Sequence, residues 1–169
     1  GKADITPDLT RYTVWMAGYG NNRKATGVHD SLWARAVVLR EGASKLALVS
    51  VDLIGLQRPA VMKVRERLSD YMYVFVASTH DHEGPDVIGL WGPSERESGV
   101  DTAYVEFVVE RIVAAVKAAE GALEPAQAAY GTAEAPGLRS KVFLVRPIAA
   151  LIRIVAGVAR ALRQQAAHA

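Results

Sequence analysis

The chain has 169 residues, of which 50% are apolar and 22% charged, a balance that supports a packed core and is that of a globular chain, not a disordered one. It contains no cysteine, which rules out a disulfide framework, thiolate metal sites and a cysteine nucleophile. The net charge of +2 is unevenly spread: residues 139–169 hold six basic groups and no acid, leaving 14 basic and 18 acidic groups in the first 138.

Asp4-Ile5-Thr6-Pro7 reads as a short edge strand running into a turn. Gly18-Tyr19-Gly20-Asn21-Asn22 is a loop by its turn residues. Ala34–Arg40 and Lys45–Asp52 alternate like strands, and Glu41-Gly42-Ala43-Ser44 between them predicts a hairpin. Pro59 suits the first turn of a helix whose apolar face is Val61, Val64 and Leu68. A buried strand over 72–78 follows. A Gly/Pro-containing loop over 83–100 carries Trp91. Next comes a long helix from about Thr102 to Ala119, with a stripe of Val105, Val108, Val109, Ile112, Val113 and Val116. Gly121 is placed at its C-terminal cap, and Ala126–Thr132 reads as one more strand. The order predicts an α/β (α+β) domain with a mixed sheet packed by helices.

Residues 142–162 are strongly apolar but interrupted by Arg146, Arg153 and Arg160. Seven-residue spacing puts these arginines along one face of an amphipathic helix starting at Pro147, which argues against a transmembrane span. Packing on the domain, a partner or an anionic membrane surface would each satisfy the apolar face. The change in composition divides the chain into 1–138 and a basic helical tail, 139–169. The main body has no basic patch with interleaved aromatics, so no nucleic-acid partner is expected.

The chemistry concentrates in Ser78-Thr79-His80-Asp81-His82-Glu83-Gly84-Pro85-Asp86. In an extended chain, side chains two apart share a face, so His80 and His82 are expected to look one way and Asp81 the other. Two imidazoles at a strand end among carboxylates suit a metal site or proton transfer; both can ligate, or one can ligate while the other contacts substrate. Asp52, at the end of its strand, joins them at one sheet edge if the two strands run parallel; otherwise it is a turn or capping aspartate. His29 is too isolated to assign, and Trp15–Gly20 is either a ligand-approaching backbone loop or a packed surface loop.

Four blocks of the sequence then resemble the neutral/alkaline (non-lysosomal) ceramidases, N-terminal part. They are Gly1-Lys2-Ala3-Asp4-Ile5-Thr6, Met16-Ala17-Gly18-Tyr19, Gly27-Val28-His29 with Trp33-Ala34-Arg35-Ala36, and Ala77–Pro85. A weaker fifth block is Tyr130-Gly131-Thr132-Ala133-Glu134, so the resemblance covers roughly 1–138. It implies a zinc-dependent hydrolase, secreted or periplasmic, that cleaves the N-acyl amide bond of ceramide or a related lipid amide. The family's block reads Thr-His-Thr-His-Ser-Gly-Pro. By that match His80 is the expected zinc ligand, His82 the catalytic residue at the transition state, and Gly18 lies near the substrate. Asp81 and Glu83 depart from the family's small polar residues, and Asp86 from a glycine, which makes the site more acidic.

The family's remaining zinc ligands lie downstream of the matched region, and the only later histidine is His168. Two further expectations follow. One is a truncated or frame-altered fragment that acts as a non-catalytic interaction module through its Arg-striped helix. The other is a homo-oligomer whose metal site is completed between subunits by His29, Asp52 or Asp86. The chain opens at Gly1 rather than Met and shows no signal peptide, which leaves room for an upstream segment.

Overall fold

The computed structural model describes residues 1–127, 129, 131 and 132. Within Gly1–Glu124 a four-stranded sheet carries the order β1-β2-β3-β4. The strands are β1 (Lys2–Asp4), β2 (Trp33–Glu41), β3 (Ser44–Val51) and β4 (Tyr73–Ser78). The helices are α1 (Arg58–Arg67), between β3 and β4, and α2 (Thr102–Gly121), after the last strand. The first two pairings are antiparallel and β3–β4 is parallel, so the expected mixed α/β sheet is what forms.

The hairpin closes through Gly42 and Ala43, with Glu41 opposite Ser44. Only Gly42 takes a positive φ, of 56°, the pattern of a two-residue turn that needs glycine at its first position. Alternation along β2 buries Ala34, Ala36 and Val38 and exposes Arg35, Val37 and Leu39. On β3 the buried set is Ala47, Val49 and Val51. Both helices pack on the sheet: α2 lies against β1, β2, β3 and α1, and α1 against β4. The buried stripe of α2 is Tyr104, Val108, Val109, Ile112, Ala115, Val116 and Ala119. Val105 and Val113 sit at its margin, because small alanines let the helix roll toward the sheet. In α1 the buried positions are Ala60 and Val64, with Leu68 just past the end, while Val61 is half-buried. Among the described residues no helix is long and apolar enough to cross a membrane.

Three expected boundaries move. The first strand is Lys2–Asp4 rather than Asp4–Pro7, because the Thr6 N–H donates to Asp4 Oδ1 at 2.7 Å and turns the chain there. Gly121 is the last residue of α2, not its cap; Ala122 closes the helix by donating its N–H to the carbonyls of Ala119 and Glu120, with no left-handed residue required. The described residues of Ala126–Thr132 form no strand. The amphipathic helix expected from Pro147 lies outside the described residues, as does the 138/139 boundary.

Two polar contacts tie the ends of the fold together. The buried Tyr104 hydroxyl donates to the Ile5 carbonyl at 2.7 Å, 99 residues away in sequence. At the other end of α2, Glu120 accepts from Lys45 at 2.7 Å and from the Tyr71 hydroxyl at 2.8 Å, and Lys45 also pairs with Asp70. The bonds from Lys45, Tyr71 and Lys117 hold the Glu120 carboxyl down at about 2. Burial, then the bond to Glu120, pushes Tyr71 up to about 12.

Tyr104→Phe leaves a buried carbonyl without its donor and is expected to cost about 1–2 kcal/mol, read as a lower denaturant midpoint with unchanged slope. The depressed carboxyl of Glu120 stabilises the fold above its ordinary value of 4.5, and that contribution disappears as pH falls through about 2. Glu120→Gln should therefore be less stable than wild type at neutral pH, with the gap closing in acid. A gap that stays constant with pH would remove Glu120 from the ion-pair network.

Candidate functional site

Because β3 and β4 are parallel, with Val51 opposite Ser78, their C-terminal ends share one sheet edge. The chain leaving β4 first keeps to β3's continuation. The Thr79 N–H donates to the Val51 carbonyl at 2.9 Å, and the His80 N–H to the Leu53 carbonyl at 3.1 Å. At His80 it breaks from the extended form, with φ +66°, a left-handed conformation costly for a residue with a Cβ. Simple strand alternation is thus not what brings the two histidines together. The backbone turns, and the His80 and His82 rings meet edge-on with centroids 4.8 Å apart.

His80 is exposed at the surface, but its ring is fixed. Nδ1 lies 2.8 Å from the Ile54 carbonyl oxygen. A carbonyl only accepts, so the proton sits on Nδ1, and the Nε2 lone pair is left for a ligand. Ile54 is 3% exposed, so the carbonyl orienting the ring is anchored in the core.

His82 is half-buried among three aromatic neighbours: His80, Tyr19 at 5.4 Å between centroids, and Trp91 at 6.2 Å. A short ladder builds this arrangement. Met16 bridges Pro85, the Ala17 N–H donates to the Gly84 carbonyl at 2.9 Å, and the Asp86 N–H donates to the Trp15 carbonyl at 2.6 Å. Just beyond the ladder, Gly18 lies against the His82 ring. A Cβ at Gly18 would stand 2.2 Å from His82 Nδ1, and Gly18 has φ +76°. Glycine is required there on both counts, and the Nδ1 edge of the ring faces it. Arg23 holds this wall in place, donating from Nη1 to the Gly18 carbonyl at 3.0 Å and lying over the Tyr19 ring at 5.5 Å.

Asp86, expected as a departure from the family's glycine and as a ligand completed between subunits, serves within this chain as a backbone anchor. It is 1% exposed and accepts from the N–H groups of Ile88, Gly89 and Trp91 at 3.1, 2.8 and 3.0 Å. It organises the turn that carries Trp91 to His82. The available signal was an aspartate followed by a glycine three residues on, an arrangement that favours side-chain-to-backbone turns. Asp52 is likewise engaged, accepting from the Trp33 N–H at 3.0 Å and from Arg35 at 2.6 Å. The shared sheet edge is real, and Asp52 serves as an anchor in it. His29 pairs with Asp30 at 2.8 Å on the open surface, and that carboxylate raises its pKa.

The site residues therefore divide. His80, His82 and Gly18 gather at one place, while His29, Asp52 and Asp86 do not join them. Among the described residues, no group of three or more His, Asp or Glu side chains converges as a metal-holding set. His80 nevertheless fits the part of a single ligand: its tautomer is fixed from the backbone, its free nitrogen is open to solvent, and a core carbonyl stands behind it.

A histidine pair gathered at the C-terminal edge of a mixed α/β sheet defines the candidate site, and comparison with known proteins gives the family. The family profile described as neutral/alkaline non-lysosomal ceramidase, N-terminal, matches residues 1–139, and the chain belongs to that family. It is 32% identical over 145 residues to the neutral ceramidase of Pseudomonas aeruginosa, a match covering 79% of this chain and 21% of the relative. The crystal structure of neutral ceramidase from Pseudomonas aeruginosa superposes with a TM-score of 0.59 at 32% identity, over 74% of this chain and 21% of that one. The chain thus spans about a fifth of the length of this relative.

Gly18→Ala is expected to displace the His82 ring and to cost about 1–2 kcal/mol, from the clash and the positive φ together. The nuclear Overhauser contact between the Tyr19 and His82 rings reports the displacement. An unchanged contact in the variant would show that the ring does not depend on the glycine.

Proposed function

We propose that this chain carries part of the amide-hydrolysing site of a ceramidase, with His80 as a zinc ligand, His82 as the catalytic substrate contact, and ceramide or a related lipid amide as substrate. The observation that carries the reading is the His80 Nδ1 contact with the Ile54 carbonyl, which leaves Nε2 as the ligating atom. Membership of the ceramidase family supplies the reaction class.

Zinc held at His80 would contribute Lewis acidity toward the amide carbonyl and the attacking water. The chain's own residues do the rest. Water adds to the carbonyl carbon, and negative charge collects on the carbonyl oxygen. His82 lies beside His80, with its Nδ1 edge against Gly18, so its Nε2 side is the one free to donate to that oxygen. When the C–N bond breaks, the proton that the attacking water gives up passes to the departing nitrogen, which leaves as the amine, and the His82 imidazole is placed to carry it. Tyr19 and Trp91 restrict solvent around the ring, which strengthens any hydrogen bond it makes. Gly18 contributes by leaving room: it admits the ring to this position, and its carbonyl is already used by Arg23.

Zinc content after dialysis and hydrolysis of an N-acyl sphingosine test the reading together. Wild type is expected to retain zinc that His80→Ala loses. His82→Ala should keep the zinc while kcat falls about 100-fold, the usual effect of removing one oxyanion donor. Equal zinc in wild type and His80→Ala, or hydrolysis that is indifferent to both changes, would overturn the assignment.

A further inference from the structure

The segment that carries the histidines has a second face. Asp81 and Glu83 line a cavity of about 480 Å³ to which neither His80 nor His82 contributes, so its lining is distinct from the histidine pair. The volume falls in the usual range for small-molecule sites. The cavity is roofed and floored by apolar side chains, among them Val14, Met16, Leu32 and Pro85. Val14 and Pro85 are buried and Met16 and Leu32 half-buried, so these walls belong to the packed structure.

Charge on the lining is one-sided. Three carboxylates contribute, those of Asp30, Asp81 and Glu83, and none of the lining residues is a lysine or an arginine. The one basic group among them is His29, already paired with Asp30. Asp81 accepts through Oδ1 from the Glu83 N–H at 2.9 Å, an interaction that fixes its carboxylate without neutralising it. Glu83 meets Arg23 only at 3.8 Å, with its side chain 67% exposed, a contact too open and too long to cancel its charge. An apolar chamber with a net-negative lining selects a ligand with a hydrocarbon body and a cationic head. A neutral lipid can at most donate a hydrogen bond to the carboxylates and lacks the charge attraction, and an anionic one is repelled.

We propose that this cavity is a binding site for a protonated long-chain amine, with the ammonium at Asp81 and Glu83 and the alkyl chain against Met16 and Leu32. Cleavage of a lipid amide releases an amine of this class. The case for the cavity rests on its own walls and charges, however, and stands whether or not the histidine face is catalytic.

The test uses the full chain with 13C-methyl methionine, which places one reporter in the cavity, Met16, and two elsewhere, Met62 and Met72. Dodecylammonium, held below its micelle concentration, should shift the Met16 methyl saturably and leave the other two unmoved. Dodecyl maltoside and dodecyl sulfate should need roughly tenfold more to do the same, given two carboxylates in partial contact with solvent. In the Asp81→Asn/Glu83→Gln variant the preference for the cation should vanish while the Met62 and Met72 resonances stay in place. A Met16 shift of equal midpoint for all three amphiphiles would overturn the proposal. So would an absent shift, or one seen at Met62 and Met72 instead. Zinc content and amide hydrolysis are measured on the same samples, so failure of the cavity and failure of the histidine site are read separately.

Discussion

The parallel pairing of β3 with β4 is the constraint on which the rest depends. Two adjacent parallel strands cannot be joined by a tight turn, so the chain must cross over, and α1 is that crossover. The same pairing brings both C-terminal ends to one edge, so that the segment leaving β3 lies directly beneath the segment leaving β4. Leu53 and Ile54 occupy that lower segment, and their side chains are buried while their carbonyls face the chain above. The orientation of His80 is therefore inherited from sheet topology. A hydrophobic core holds two residues still, and their backbone oxygens hold the histidine.

The site has a second, independent support in the ladder between residues 15–17 and 84–86. The glycine that lies against the imidazole follows this ladder, and among the described residues three non-glycine residues have positive φ, namely Tyr19, Asn22 and His80. Two of these three touch His82. Local conformational strain is concentrated where the rings meet, and the surrounding hydrogen bonds over-determine the backbone enough to sustain it. Asp86 performs the same service for Trp91 from the opposite side.

Much of the scaffold was legible because its signals are periodic. The alternation through Ala34, Ala36 and Val38 announced β2, Gly42 announced the turn, and Pro59 the start of α1. The histidine pair and Gly18 were legible as a motif, and the structure brings those three together. The geometry that joins them was not legible, because it arises between residues far apart in sequence. The left-handed turn at His80 is unsuited to its residue type and is imposed by bonds to Leu53. The division of Asp81 and Glu83 from the histidines was half visible as alternation, but the chamber they line includes Leu32 and Val14, at least 49 residues earlier in the chain. Asp52 forms the kind of backbone anchor that its turn or capping reading foresaw, whereas the three amides that Asp86 accepts from carry no sequence signature.

The bond from Tyr104 to the Ile5 carbonyl also bears on how the protein is made. Its two ends are 99 residues apart, so at roughly 5–20 residues per second the ribosome needs about 5–20 s to deliver the second after the first. Once β2 has emerged, β1 can pair with it, yet α2, which covers both, is still to be made. Vectorial synthesis thus produces all four strands before α2, with the side that α2 covers still bare. During this window the nascent chain is most exposed to aggregation and has most to gain from a chaperone. Helix α2 thus fastens a segment of chain that was synthesised 99 residues before it.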